Sequence, residues 1–125
     1  MTISSLFGAR GPEEHAPRRL WHVTLTIGGD AQDAEHVREA LERLHNERPF
    51  FVASRYAGDR AELRYWEEAE SCEDACALAL RLWGEHRSTA QLPAWGVVGL
   101  EVVERSVRDE RGEAPILDAR ISPFV

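Results

Sequence analysis

Three side chains in this sequence have the types needed for acid–base work on a small molecule: His22, Arg64 and Glu101. An imidazole with an ordinary pKa of about 6.5 takes or gives a proton near neutrality. A carboxylate beside it can orient the ring, and a guanidinium can grip an acidic group of a substrate with two parallel hydrogen bonds. The three are far apart in the chain. The chemistry exists only if a fold brings them to one surface, so the elements that carry them come next.

His22 lies in the stretch RLWHVTLTIGGD, residues 19–30, where Trp21, Val23, Leu25 and Ile27 alternate with His22, Thr24 and Thr26. Period-two alternation marks a strand buried on one face, spanning about Leu20 to Ile27 and broken by Gly28 and Gly29. A helix follows, with Asp33 as its N-cap and Val37, Ala40, Leu41 and Leu44 at helical spacing, ended by Pro49. Residues 50–67 read as a hairpin: one arm from Phe50 to Tyr56, a bend at Gly58 and Asp59, and a second arm from Ala61 to Glu67. Ser71 with Asp74 three residues on resembles a capping box and opens a second helix, whose apolar stripe runs through Cys72, Ala75, Cys76, Ala79, Leu82 and Trp83. A last strand runs from Trp95 to about Arg105. In it Val98, Leu100 and Val102 face one way, and Val97, Glu101, Val103 and Arg105 the other. SVRDERGE then reads as a polar turn.

The order strand, helix, strand, strand, helix, strand predicts an α+β fold: a ferredoxin-like βαββαβ two-layer sandwich with a four-stranded antiparallel sheet, two helices on one face and an extended apolar C-terminal tail. The parts are a flexible N-terminal arm (1–18), the domain (19–112) and the tail (113–125). The tail is expected to dock on the chain's own sheet or on a partner through Ile116, Leu117, Ile121 and Phe124, because left in water these side chains would leave an apolar patch. Over residues 19–105 the chain resembles, in topology alone, ACT-type regulatory domains and dimeric α/β-barrel proteins. One such fold hosts many activities.

With Trp21 and its alternates turned to the helices, His22 and Thr24 face away. Arg64 and Trp66 join them from the third strand, Glu101 and Val103 from the fourth, and Phe51 and Arg55 from the second. This face mixes charge with apolar surface. It is the expected contact for a ligand or a partner, including a second copy of the chain.

Composition narrows the classes further. The chain has 125 residues, which suits one domain, and 15 basic against 22 acidic side chains give a net charge of −7. Such a surface repels nucleic acid, and Trp66 is the only aromatic residue on the central strands of the face that RNA-recognition modules would use. Every basic residue is arginine, so lysine chemistry, both the Schiff base and the P-loop, is excluded. The arginine and alanine bias suits a GC-rich bacterial genome. Cys72 and Cys76 are expected as reduced, small core residues. His36 and His45 are expected on the exposed side of the first helix, and His86 at the end of the second. No metal site is expected, because no three ligands have zinc spacing. Gly28 and Gly29 read as a turn, with a phosphate on their amides as the alternative. The first residues lack the charged start and apolar run of a secretory leader, and no stretch approaches about 18 apolar residues, so the expected compartment is the cytoplasm. The expected function is a homodimeric binding or protein-interaction module with no cofactor and no chemistry of its own. The alternative is a small cofactor-free enzyme of the dimeric α/β-barrel type, using His22, Arg64 and Glu101.

Overall fold

The structure, a computed structural model, describes residues 19–47, 51–89, 91–112 and 120–124, and of Phe51 and Val52 the backbone alone. Its elements are β1 (Arg19–Gly28), α1 (Ala34–Glu47), β2 (Phe51–Tyr56), β3 (Arg60–Ala69), α2 (Cys72–Thr89), β4 (Gly96–Glu104), α3 (Arg105–Glu110) and β5 (Arg120–Pro123). Among the described residues this is a mixed α+β chain with one sheet of five strands, in the order β4-β1-β3-β2-β5, and three helices. The four strands and two helices read from the sequence are therefore corrected to five and three.

The central strands explain the core. β1 pairs antiparallel with β3 on one side and β4 on the other, so Val23 lies opposite Tyr65 and Val102, and Leu25 opposite Leu63 and Leu100. Residues directly opposite share a face, and this layer is sealed: Val23, Leu25, Leu63 and Tyr65 have no measurable exposure. Val37, Leu41 and Leu44 of α1 and Ala79 and Trp83 of α2 close over it, and Ala75 packs beside it with Trp21 and Ala69. Both helix starts are capped as the sequence implies: the Glu35 amide donates to Asp33 Oδ1 at 2.9 Å and the Asp74 amide to Ser71 Oγ at 3.1 Å.

Three tryptophans each donate the indole N–H to a backbone carbonyl: Trp21 to Ala69 at 3.0 Å, Trp83 to Trp95 at 3.0 Å, and Trp95 to Asp30 at 2.9 Å. Each hydrogen bond satisfies the one polar atom of a large apolar side chain. Gly29 is needed for the last of them, because a Cβ there would lie 2.6 Å from Trp95 Cδ1. The same loop is pinned to the hairpin bend, with the Gly29 amide donating to Asp59 O at 3.1 Å and the Gln32 amide to Gly58 O at 2.7 Å. The Gly29 amide is thus engaged within the chain, which corrects the phosphate alternative for the Gly28–Gly29 turn.

Several local readings change. SVRDE forms α3 rather than a turn. A bulge between Thr26 and Ile27 in the β1–β4 register leaves Ile27 opposite Val97, so Val97 packs on the core and Val98 is 66% exposed, the reverse of the strict alternation. Cys72 is exposed and Cys76 half-buried, both with free thiols. Burial pushes the Cys76 thiol up from its ordinary value, and the neighbouring Cys72 adds to the shift. α2 continues to Thr89, so His86 lies within it and is buried. β5 lies parallel to β2 on the chain's own sheet, with Ile121 beside Ser54 and packed on the core. Pro123 in that edge strand lacks an N–H, which blunts the edge against a further strand. The N-terminal arm, residues 1–18, and the tail residues Ile116 and Leu117 lie outside the described residues.

Candidate functional site

The second face of the sheet is built by register. His22 lies opposite Trp66 and Val103, Thr24 opposite Arg64 and Glu101, and Thr26 opposite Glu62 and Gly99. β2 adds Arg55 opposite Glu62. The expected residues do share one face, but the face is divided.

One end is closed. α3 packs on β1 and β4 and brings the Arg108 guanidinium over the Trp66 ring, 5.7 Å from its centroid. Trp66 in turn meets the His22 ring edge-on, with centroids 5.0 Å apart. His22 is 3% exposed, Arg108 4% and Val103 9%. The expectation that His22 and Val103 line an open surface is therefore corrected: a helix not legible in the sequence sits over them. A general base must reach the proton it takes, and this imidazole faces protein.

The far end is tied up in another way. Arg55 pairs with Glu62 at 3.3 Å, and the Phe124 ring lies between the guanidiniums of Arg55 and Arg60, at 5.0 and 4.9 Å. These stacked cation–π contacts anchor the segment that follows β5.

Between the two ends runs the row Glu101, Thr24, Arg64. Thr24 and Arg64 are half-buried and Glu101 is exposed. Among the described residues no hydrogen bond, ion pair or ring contact engages any of the three side chains. Neighbouring strands are about 4.8 Å apart, so a guanidinium and a carboxylate flank a hydroxyl across roughly 10 Å. The row can hold a polar ligand or the side chains of another protein by charge-assisted hydrogen bonds.

Two polar clusters on the helix side escaped the sequence reading. His45, expected in solvent, is half-buried, and its Nε2 lies 2.8 Å from Ser54 Oγ. Ser54 is 1% exposed. His86 Nδ1 lies 3.7 Å from Glu47 Oε1, which also accepts from Thr89 Oγ1 at 3.0 Å. The signal for His45 was its position four residues beyond Leu41, at the border of the apolar stripe. Ser54 is the inward residue of β2, opposite Leu63. Tyr65 is likewise buried, and its phenol is pushed up from its ordinary value by loss of water and by Glu67. A further open cavity of about 330 Å³ on the surface is lined by Gln32, His36, Glu39, Arg43, Gln91 and Pro93. Its floor is fixed by Arg43 Nη2, which donates to Gln91 O at 3.1 Å.

Burial holds the His45 imidazole below its ordinary value. The unfolded chain then binds more protons as pH falls through the window below about 6.5, so this contribution to stability is present above that value and lost as pH falls through the folded pKa. The urea midpoint is expected to drop between about pH 7 and about pH 5. His45→Gln should flatten part of that slope, the remainder belonging to other groups. An unchanged slope in the variant would contradict the assignment.

Fold and face together define a small α+β domain with one sheet surface divided between a covered end and an open polar row. The family model of a domain of unknown function, DUF8830, matches residues 20–116, and the chain belongs to that family. No curated protein and no solved structure matches it. Among the described residues no helix is long and apolar enough to cross a membrane, and no three His, Cys, Asp or Glu side chains gather in a position to hold a metal ion.

Proposed function

We propose that this chain is a bacterial, cytoplasmic, homodimeric binding module without chemistry of its own, built on a ferredoxin-like βαββαβ core that α3 and β5 extend. The observation that carries the reading is the row Glu101, Thr24, Arg64: three polar side chains on the adjacent strands β4, β1 and β3, engaged by nothing among the described residues and set beside a covered His22. A half-buried guanidinium favours an acceptor, and the row offers one to whatever docks there. The burial of His22 supports binding over a mechanism in which the imidazole works as a base. Free Cys72 and Cys76 suit a reducing compartment.

Ile121 and Phe124 are engaged with the chain's own sheet, and the second copy is placed on the β4 edge. There Val98 and, on α3, Val107 are exposed at 66% and 40%. β5 closes the opposite edge. Light scattering at high micromolar concentration is expected to show a dimer, and Val98→Glu a monomer. A wild-type monomer would contradict the dimer.

Binding is tested with a library of small polar compounds, read by amide shifts. Bound compounds are expected to move Thr24, Arg64 and Glu101. Arg64→Gln should lower affinity about tenfold or more, as loss of a charged hydrogen bond does, with thermal unfolding unchanged. Shifts confined to the helices would contradict the reading.

A further inference from the structure

We propose that Cys72 and Cys76, one turn apart at the start of α2, form a two-thiol site for a soft monovalent metal ion of the copper(I) kind. The site lies in the helix layer and is independent of the row Glu101, Thr24, Arg64 on the second face of the sheet.

α2 runs from Cys72 to Thr89, so Cys72 is its first residue and Cys76 stands one turn further on. Side chains at that spacing share a face of a helix, with Cβ atoms about 5–6 Å apart. Both thiols are free, Cys72 exposed and Cys76 half-buried. The two side chains reach each other: a hydrogen bond from Cys72 is among the causes that raise the Cys76 thiol. α2 fills the core with Ala75, Ala79 and Trp83, and neither cysteine is among the buried side chains.

The spacing suits an ion better than a disulfide. A disulfide needs Cβ atoms about 3.5–4.5 Å apart, closer than a regular helix sets them. An ion between the sulfurs adds two bonds of about 2.3 Å each and spans the wider gap without moving the backbone. The number of donors then chooses the ion. Magnesium and calcium take six or more ligands, mostly oxygen, and zinc takes four. Among the described residues no three His, Cys, Asp or Glu side chains gather to hold a metal. Thiolates are soft donors that select copper(I), a closed-shell ion that two of them satisfy in a linear arrangement. On binding, each S–H gives its proton to water, two sulfur–metal bonds form, and no oxidation state changes. The product carries one negative charge in the first turn of α2, where the helix dipole favours an anion. Glu73 opposes that charge, but from an exposed position where water screens it.

The test uses the full chain, reduced and under nitrogen, titrated with copper(I) held by bathocuproine disulfonate, whose colour reports the ion withdrawn. One ion per chain is expected, with sulfur as its only ligand in X-ray absorption. Cys72→Ser and Cys76→Ser should each weaken uptake at least about hundredfold, as loss of one arm of a two-point attachment does. A further variant keeps two thiols but moves one of them. Cys76→Ser with Ala77→Cys turns the second sulfur about 140° round the helix from Cys72, and should bind as weakly as the single variants. Circular dichroism checks folding, and Cys72→Ser alters an exposed side chain, so it keeps the test available if Cys76→Ser unfolds the chain. Two ions per chain, wild-type affinity in a single variant or in the moved pair, or no withdrawal of copper overturns the proposal.

Discussion

Trp95→Ala is expected to cost about 3–5 kcal/mol of stability, the range for emptying a buried tryptophan site. Trp95 is 2% exposed and fills the space against Gly29, where no Cβ fits. It also links two further parts, donating its N–H to Asp30 O and accepting the Trp83 N–H on its carbonyl. The backbone carbonyl survives the substitution and the ring does not, so the loss combines a cavity with one lost hydrogen bond to the Asp30 carbonyl. A domain of this size has about 5–15 kcal/mol in all, and the variant would sit near the limit of folding. Trp95→Phe keeps most of the packing and should cost less. Urea unfolding followed by circular dichroism checks both. A loss below about 1 kcal/mol for the alanine variant would mean that the site collapses freely.

Trp66→Ala is expected to cost about 3 kcal/mol, at the low end of the range for tryptophan because the ring is half-buried. Its second effect is the more informative. Trp66 is the layer between the sheet and Arg108, meeting His22 on one side and the guanidinium on the other. Without it α3 loses the Arg108 contact with β3, and His22 should open to water. Hydrogen exchange at residues 105–110 is expected to speed up while exchange in β1 and β3 stays slow. Uniform acceleration across the sheet would instead place Trp66 in the global core.

The layer under α1 and α2 was legible because its signals are local. The alternation from Trp21 to Ile27, the spacing of Val37, Ala40, Leu41 and Leu44, and the caps at Asp33 and Ser71 each follow from one element's own periodicity. Features that depend on a neighbour were not legible. α3 is six mostly charged residues whose only inward side chain, Arg108, looks like surface until Trp66 is beneath it. The exchange of Val97 and Val98 comes from a bulge, whose one extra residue shifts the alternation at the start of β4 while Leu100 and Val102 keep their place on the core. Ser54 and His45 look polar and exposed when read singly, yet Ser54 is buried and His45 half-buried, each with the other as a hydrogen-bond partner. The grouping of Thr24, Arg64 and Glu101 on one face followed from parity alone. The covering of His22 did not, since it is made by a segment that reads as a turn.

Carbethoxylation of the folded chain by diethyl pyrocarbonate, followed residue by residue by mass spectrometry, tests most directly whether the sheet face is divided into a sealed end and an open row. His36 is exposed on α1 and serves as the internal reference. His22 is expected to react far more slowly than His36 in the wild-type chain and at a comparable rate in Trp66→Ala. Equal rates for His22 and His36 in the wild-type chain would contradict the sealed end and return the imidazole to the set of groups available for chemistry.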